Sequence, residues 1–383
     1  MRWRAFVPVL AAAACCLGFG PSVREQTLRE AAYASELFIG TAVRPAQFSE
    51  PAYVSTLARE FNMLEPEDAL KWEVVHPERQ SFDFSQADQI VDFASGHGMK
   101  VRGHTLVWHR QNPQWLTEGK YTSRELAQIL EQHIKTVVAH YRGKIFAWDV
   151  VNEAFDELHP GTLRSTIWRD QPGIGLAANR ADSSYELRVV SDPVRSEMGA
   201  RGSQQSYSYI ERCFRWAREA DPQALLFYNE AEADTVNPKS DAIYAMVRDF
   251  RERGVPIDGV GFQMHIANLH ADVASISANI ERFTALGVQV QITEMDVALP
   301  VDANGSPRPD DLQLQADIYR EIACACLSHP GCTAIQIWGF TDKYSWIGSH
   351  SKQTQGAALP FDRNYRAKPA YEALRNALEL GRR

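Results

Sequence analysis

The 383-residue sequence lacks the marks of several protein classes. It has no basic block and its net charge is −8, so we expect no nucleic-acid partner. The body of the chain has no apolar run long enough for a membrane span. Neither CxxC nor HExxH spacing occurs, and these absences exclude the commonest zinc sites. We expect no metal and no cofactor.

The N-terminus differs from the rest of the chain. Two arginines precede an apolar run, residues 5–17, that is too short to span a membrane, which is typical of a secretory signal. We therefore expect residues 1–20 to be a signal peptide and the protein to be secreted or periplasmic. Cys15 and Cys16 raise a lipid anchor as an alternative. Ala12, where a bulky aliphatic residue is expected, makes the anchor the less favoured of the two.

Four cysteines remain beyond this segment. In an oxidising compartment Cys326 and Cys332 are the expected disulfide, because only a short loop containing a Pro-Gly pair joins them. Cys213 and Cys324 lie in helical patterns, and we expect both to be buried thiols.

The body of the chain alternates short apolar runs with longer amphipathic segments. Eight apolar runs occur, at residues 37–43, 61–64, 99–104, 145–151, 224–229, 260–265, 288–293 and 333–338. Helical patterns occur at residues 124–141, 207–219, 240–253, 273–286 and 312–327. With no linker or repeat to divide the chain, this alternation predicts an α/β fold, a single (β/α)8 barrel over residues 28–380. A doubly wound open sheet competes, but no GxGxxG follows the first strand.

Seven of the predicted strands end in polar or aromatic side chains. In chain order these are Glu65, Glu67, Asp68, Lys71, Trp72, His104, Trp108, His109, Asn152, Glu153, Asn229, Glu230, Gln263, His265, Glu294, Asp296 and Trp338. Each one alone could be an ordinary core residue. Their joint position is harder to explain in that way, because the carboxyl ends of barrel strands converge on one mouth.

Such a mouth would combine carboxylates, a lysine, imidazoles and tryptophans. Serine chemistry would need a GxSxG turn, which is absent. Paired carboxylates with aromatic platforms fit glycoside hydrolysis better: one carboxyl protonates the leaving oxygen, the other attacks or activates water, and indole faces stack on sugars. Glu153 and Glu294, on the fourth and seventh strands, would face each other across the barrel.

Several motifs, in order along residues 28–378, resemble glycoside hydrolase family ten, the retaining endo-β-1,4-xylanases. They are GTAV at 40–43, RGHTLVWH at 102–109, WDVVNEA at 148–154, GFQMH at 261–265, ITEMD at 292–296, WGFTDKYSW at 338–346, FD at 361–362 and KPAY at 368–371. Two such matches could arise by chance, but this many in order would not.

The resemblance implies roles for the side chains at the mouth. Glu153 would be the general acid/base, with a raised pKa in the free enzyme, and Glu294 the ionised nucleophile, their carboxyls roughly 5–5.5 Å apart. Asn152 would donate to the sugar 2-hydroxyl, while His265, oriented by Asp296, would hydrogen-bond Glu294. The residues implied to bind substrate are Glu67, Asp68, Lys71, His104, Trp108, Asn229, Gln263, Trp338 and Trp346.

Three features depart from the usual pattern of the family. Asp68 stands where an asparagine is usual, which removes two N–H donors from a sugar contact. Ala231 replaces an aromatic residue on the aglycone side, so we expect altered binding of the leaving group. Residues 171–205 form an insertion after the fourth strand, interpreted either as a tolerated surface loop or as a border of the aglycone cleft that recognises a decorated or acidic side chain.

We therefore expect a monomeric retaining endo-xylanase whose partner is xylan. One alternative keeps the chemistry but acts mainly on short xylo-oligosaccharides, and product lengths separate it from the first. Another is a non-hydrolytic polysaccharide-binding barrel. The presence of both Glu153 and Glu294, together with Asn152 and His265, argues against that last interpretation.

Overall fold

The computed structural model describes residues 26–170 and 207–381. The predicted signal peptide, residues 1–20, and the predicted insertion, residues 171–205, both lie outside the described residues. Within the described residues no helix combines the length and the hydropathy needed to cross a membrane.

Eight parallel strands close into a barrel, which confirms the predicted (β/α)8 fold. They are β1 (Phe38–Val43), β2 (Met63–Pro66), β3 (Lys100–Gly103), β4 (Ala147–Asn152), β5 (Leu225–Glu230), β6 (Gly259–Phe262), β7 (Gln289–Val297) and β8 (Cys332–Ile337). Each strand pairs with the next, and β8 pairs with both β7 and β1, where Ile39 is in register with Ile335. The strands are apolar runs because both faces of a barrel sheet are buried.

An outer helix follows each barrel strand. In chain order these are Pro51–Glu60, Ser85–Gly96, Ser123–His140, Ser208–Ala220, Pro238–Glu252, Val273–Ala285, Pro309–Leu327 and Pro369–Leu380, and Leu28–Ala34 precedes β1. Shorter helical segments in the loops are Pro45–Ser49, Trp72–Val75, Gln114–Thr117, Ile167–Asp170 and Ile347–His350. Three two-residue strands also occur, at His265–Ile266, Leu299–Pro300 and Gln355–Gly356.

Local sequence sets where these helices begin. Before Ser123–His140, the Thr122 side chain accepts from the N–H of Glu125, whose carboxylate accepts in return from the N–H of Thr122. Before Pro238–Glu252, the Asn237 side chain accepts two backbone N–H groups at 2.9 Å. These side chains satisfy N–H groups that have no partner within the helix, so the loops that precede these two helices rejoin them at a fixed residue.

The barrel interior below the mouth is polar. Arg102 on β3 donates to Asp149 on β4 through two N–H groups, and to Oε1 of Gln291 on β7 at 2.5 Å. All three side chains are fully buried, so the ion pair is compensated by hydrogen bonds rather than by water. Nδ1 of His104 lies 3.0 Å from Asp149, so this imidazole lies between the buried ion pair and the mouth.

The cysteines follow the prediction with one exception. A disulfide joins Cys326 to Cys332, and Cys213 is buried. Cys324 is exposed, so its assignment as a buried thiol is wrong. It lies two residues before the buried Cys326 on the helix Pro309–Leu327, and two residues correspond to a rotation of about 200°, which turns Cys324 to the solvent face.

Candidate active site

Glu153 and Glu294 lie at the mouth of the barrel, at the carboxyl ends of β4 and β7. Both are nearly buried, with 9% and 5% of their surface exposed. Glu153 has a φ of 53°, in the left-handed region, and its N–H donates to the carbonyl of Asn229 at 3.0 Å. A non-glycine residue held in this region costs about 1–3 kcal/mol, and such strain concentrates at functional sites.

Neutral donors surround the carboxyl group of Glu153. Nε1 of Trp108 donates to one oxygen at 2.8 Å, and Nε2 of Gln263 donates to the other at 3.0 Å. Nδ2 of Asn152 lies 3.4 Å from that second oxygen. His109 is the nearest titratable partner, with Nδ1 3.9 Å away. The carboxyl group is therefore held by side chains from three neighbouring parts of the mouth.

Hydrogen bonds and nearby charges lower the pKa of Glu153 in the free chain. Burial raises its pKa, but donation from Gln263 and Trp108, together with the nearby charges of His109 and Arg110, outweighs burial, so that the pKa lies below its usual value. The expectation of a raised pKa in the free enzyme is wrong for this structure. It followed from the role that the resemblance implies for Glu153 and took no account of the donors at the mouth.

Glu294 is held by an amide that is itself fixed. Nδ2 of Asn229 donates to Glu294 at 2.7 Å and to Oδ1 of Asn152 at 2.9 Å. The hydroxyl of Thr293 donates to the amide oxygen of Asn229 at 2.7 Å, which sets the orientation of the amide. Gly261 leaves room for it, because a Cβ there would lie 2.2 Å from that oxygen. Asn229 thus connects the two carboxyl-bearing strands.

His265 forms the second contact with Glu294. Its Nε2 lies 3.2 Å from Glu294, and its Nδ1 lies 2.9 Å from Asp296, which also accepts from Nε1 of Trp346 at 2.8 Å. Desolvation alone would lower the pKa of His265, but Asp296 and Glu294 together raise it to about 10. Both ring nitrogens therefore carry protons at neutral pH, and the imidazolium donates to a carboxylate on each side.

Lys71, Trp108 and Trp338 form one wall of the mouth. The ammonium group of Lys71 lies 4.8 Å from the Trp108 ring and 5.8 Å from the Trp338 ring, in cation–π range. The Trp338 ring also contacts His104 edge-on, with centroids 5.3 Å apart. The structure thus brings together these four predicted substrate-binding side chains beside Glu153.

Beyond Lys71 lies a cluster of charged side chains. Nζ of Lys71 is 3.5 Å from Asp68. Arg44 contacts both acids of the predicted set, with Nε 2.9 Å from Asp68 and Nη2 2.6 Å from Glu67. Burial raises the pKa of Glu67, and the nearby Arg44 opposes that effect. The unusual acid at position 68 is therefore paired with a cation.

Three functional neighbours were missed from the sequence. Arg44 follows the GTAV motif directly, and its charge beside a barrel strand end was the available signal. Gln111 donates to Asp68 at 3.4 Å. Arg164 donates to the backbone carbonyl of Glu153 at 3.3 Å and so supports the strained residue. Gln111 and Arg164 lie in irregular loops, where the spacing of residues carries little information.

Glu65, His104 and Asp149 have ligand atoms close enough together to hold one metal ion among the described residues. Arg102 donates two hydrogen bonds to Asp149, and its fixed positive charge opposes a cation at this position. Burial and the nearby Asp149 carboxylate raise the pKa of Glu65 well above its usual value, which favours a neutral acid there. We assign no metal to this group.

Known proteins resemble this chain over most of its length. Glycosyl hydrolase family 10 matches residues 27–377. The chain belongs to this family. Among its relatives are endo-1,4-beta-xylanase B of Thermotoga neapolitana, 41% identical over 95% of this chain and 94% of that protein, and a beta-1,4-xylanase of Dictyoglomus thermophilum, 36% identical over 92% and 89%. The solved xylanase 10B of Thermotoga petrophila, in complex with xylobiose, superposes with a TM-score of 0.81 at 41% identity, over 93% of this chain and 98% of that one.

Membership of family 10 confirms the resemblance read from the motifs, and it makes the chain a glycoside hydrolase. Two of the three departures from the family pattern, Asp68 and Ala231, lie within the described residues. Asp68 is paired with Arg44. At the end of β5, next to Ala231, Glu230 forms a buried ion pair with Lys239 at 3.0 Å, and burial raises the pKa of Glu230 to about 7. Ala231 then presents only a methyl group where an aromatic ring was expected.

Proposed function

We propose that this family 10 chain is a retaining endo-1,4-β-xylanase that cleaves internal bonds of xylan by double displacement. One observation carries the proposal: two nearly buried carboxyl groups share one mouth, Glu153 among neutral donors and Glu294 against an imidazolium. Support also comes from the relatives named as xylanases and from the neighbour solved with xylobiose.

In the first step Glu294 attacks the anomeric carbon while Glu153 gives its proton to the leaving oxygen. The Asn229 amide and the His265 imidazolium fix the orientation of the attacking carboxylate. Because donors lower the pKa of Glu153 in the free chain, its carboxyl group must take up a proton before or during substrate binding. The rate of this step should therefore fall as the pH rises.

In the second step water replaces the leaving sugar. Glu153, now a carboxylate, accepts a proton from that water, which attacks the anomeric carbon and releases Glu294. The hydrogen bonds from Trp108 and Gln263 stabilise this charged form. The same contacts therefore keep Glu153 deprotonated until it accepts the proton of the water. Asn152, at the end of β4, donates to the 2-hydroxyl of the sugar in this proposal.

Lys71, Trp108, His104 and Trp338 would bind the sugars on the glycone side. The aromatic faces provide platforms for xylose rings, and the ammonium group provides hydrogen bonds to hydroxyls. Ala231 offers no ring on the opposite side, so binding of the leaving group would depend on other contacts. This asymmetry favours substrates with several sugars on the glycone side.

Product analysis tests the proposal. Digestion of several xylans, with cellulose as the comparison, should release long internal fragments early from xylan. Proton NMR of the first products should show the β anomer, since a double displacement retains configuration. Release of the α anomer first would contradict retention. Rapid cleavage of short xylo-oligosaccharides with no action on polymer would favour the alternative substrate class.

We further propose that the protein is exported and acts as a monomer. Export rests on the signal-like residues 1–20. Sequencing the N-terminus of the protein recovered outside the cytoplasm should show that this segment has been removed. Light scattering during size-exclusion chromatography should give the mass of one chain.

A further inference from the structure

We propose that Arg44 is a specificity-determining residue for glycone binding. Its guanidinium would supply the N–H donors that Asp68 cannot, to the hydroxyl groups of a neutral xylose unit. This inference rests on the proposed xylanase function. It concerns the second sugar on the glycone side, one unit away from the bond that is cleaved.

The guanidinium of Arg44 is held in place by two acids. Nε lies 2.9 Å from Asp68, and Nη2 lies 2.6 Å from Glu67. A guanidinium has five N–H groups in a rigid plane, and the hydrogen bond from Nη2 to Glu67 uses one of them, while the contact with Asp68 is an ion pair. The side chain is 46% exposed, and the described residues provide no side-chain acceptor for it other than these two acids. Arg44 is thus an oriented cation with free donors, rather than a mobile surface arginine.

Asp68 cannot donate hydrogen bonds itself. Its carboxylate faces three protein donors: Arg44 at 2.9 Å, Gln111 at 3.4 Å and Lys71 at 3.5 Å. An asparagine at this position would offer two N–H groups to a sugar hydroxyl, whereas an ionised aspartate offers none. The donor function must then come from a neighbour, and Arg44 is the neighbour whose orientation Asp68 fixes.

The position of the cluster identifies which sugar it would contact. Contacts run from Asp68 to Lys71, from Lys71 to the Trp108 ring, and from Trp108 to Glu153. Three side chains therefore separate Arg44 from the acid/base. We therefore place Arg44 beside the next unit of the chain rather than beside the sugar under attack.

The charge of the cluster identifies the class of ligand. The positive charges of Arg44 and Lys71 are balanced by the negative charges of Glu67 and Asp68. Gln111 also donates to a further acid, Glu73, at 2.8 Å. The surroundings carry no excess of positive charge, so they do not favour a uronic acid substituent. Hydroxyl groups of an undecorated xylose are the acceptors that fit.

Two aryl glycosides test the inference. An aryl β-xyloside places one sugar on the glycone side, and an aryl β-xylobioside places two. Arg44→Ala should lower the ratio of kcat/KM for the xylobioside to kcat/KM for the xyloside by about tenfold, the effect of one hydrogen bond to a charged donor. Arg44→Lys should give an intermediate ratio, because it retains the charge but loses the planar fork. Adding Asp68→Asn to Arg44→Ala should restore part of the ratio.

Arg320 provides a matched control. It is 49% exposed and also contacts two acids, Asp317 at 3.0 Å and Glu321 at 3.8 Å, but it lies on the outer helix Pro309–Leu327. Arg320→Ala should leave the ratio as it is in the wild type.

Four results would overturn the inference. Equal losses of kcat/KM on both glycosides in Arg44→Ala would show a structural role, and wild-type kcat/KM values on both would show no role. A larger loss on glucuronate-substituted than on plain oligosaccharides would contradict the neutral ligand. If the wild type hydrolysed neither glycoside, the proposed function would fail, and the inference with it. If the wild type hydrolyses the xylobioside and one of the first three results is found, only the role proposed for Arg44 fails.

Discussion

The two carboxyl groups that we propose to be catalytic lie in one mouth of the barrel but in different surroundings. Glu153 accepts from an indole and an amide, both neutral, and its backbone is strained. Glu294 accepts from the Asn229 amide and from the His265 imidazolium, which also donates to Asp296. One carboxyl group is held by donors that carry no net charge, and the other forms part of a charged triad.

This difference matches what the proposed mechanism requires of each group. Glu153 gains and loses a proton in every cycle, and neutral donors lower the cost of its charged form without making that form permanent. Glu294 changes between a carboxylate and an ester while remaining in place, so it needs a rigid partner. The imidazolium between two carboxylates provides that rigidity. Four substitutions test this contrast, from the largest expected effect to the smallest.

Removal of the nucleophile should have the largest effect. Glu294→Ala leaves no group to form the glycosyl-enzyme, so kcat on xylan and on aryl glycosides should fall at least about 10⁴-fold. Reducing-sugar release and phenol release measure the two rates. Glu281→Ala, on an exposed site of the outer helix Val273–Ala285, is the control and should be fully active. Xylan hydrolysis at the wild-type rate by Glu294→Ala would mean that the nucleophile lies elsewhere.

Removal of the acid/base should depend on the leaving group. Glu153→Ala should slow xylan hydrolysis by about 10²–10⁴-fold, because the departing sugar then leaves without a proton. An aryl xyloside with an acidic phenol needs no proton, so its first step should change little, and a burst of phenol should appear in rapid-mixing experiments. If the first step were slowed equally on xylan and on the aryl xyloside, Glu153 would not be the acid.

The sequence predicted the parts of this site that depend on one strand at a time. A barrel strand is buried on both faces, so each apolar run marked a strand and the polar residues after it marked the mouth. The pattern of residues alone therefore located Glu153 on β4 and Glu294 on β7.

Contacts between strands far apart in the sequence were not predictable in this way. Arg44 pairs with Asp68 because β1 and β2 are neighbours in the barrel, but nothing in the residue spacing specifies side-chain direction at the ends of the strands. The pKa of Glu153 depends on Gln263, which β6 brings to it. The prediction that Cys324 is buried was wrong for a local reason, because a helical pattern does not state which face a single cysteine occupies.

Neutralising Asp296 should disrupt the charged triad that Glu294, His265 and Asp296 form. Asp296→Asn removes the strongest partner of His265, so the pKa of His265 should fall from about 10 towards its ordinary value. In the wild type, the ion pairs of His265 contribute stability that is fully present below pH 6.5 and is lost as the pH rises through about 10. Nitrogen-15 NMR of the imidazole measures the titration, and kcat/KM should fall about tenfold at neutral pH. Titration of wild-type His265 near pH 6.5 would contradict the triad.

The smallest effect should come from removing one neutral donor. Trp108→Phe retains a ring beside Lys71 but removes the indole N–H that donates to Glu153 at 2.8 Å. Loss of this donor destabilises the carboxylate, so the pKa of Glu153 rises and the protonated acid persists to higher pH. The alkaline limb of the pH profile of kcat/KM should therefore move upward, while the maximum rate falls only a few-fold, roughly the effect of one hydrogen bond.

Trp115 provides the matched control for this substitution. Its indole N–H donates to the carbonyl of His76 at 3.2 Å and does not contact Glu153. Trp115→Phe removes the same kind of donor from a partly buried tryptophan, so it should leave the alkaline limb in place. A downward move of the limb in Trp108→Phe, or equal moves in both variants, would show that neutral donors do not set the protonation of Glu153. The contrast between its surroundings and those of Glu294 would then have no chemical consequence.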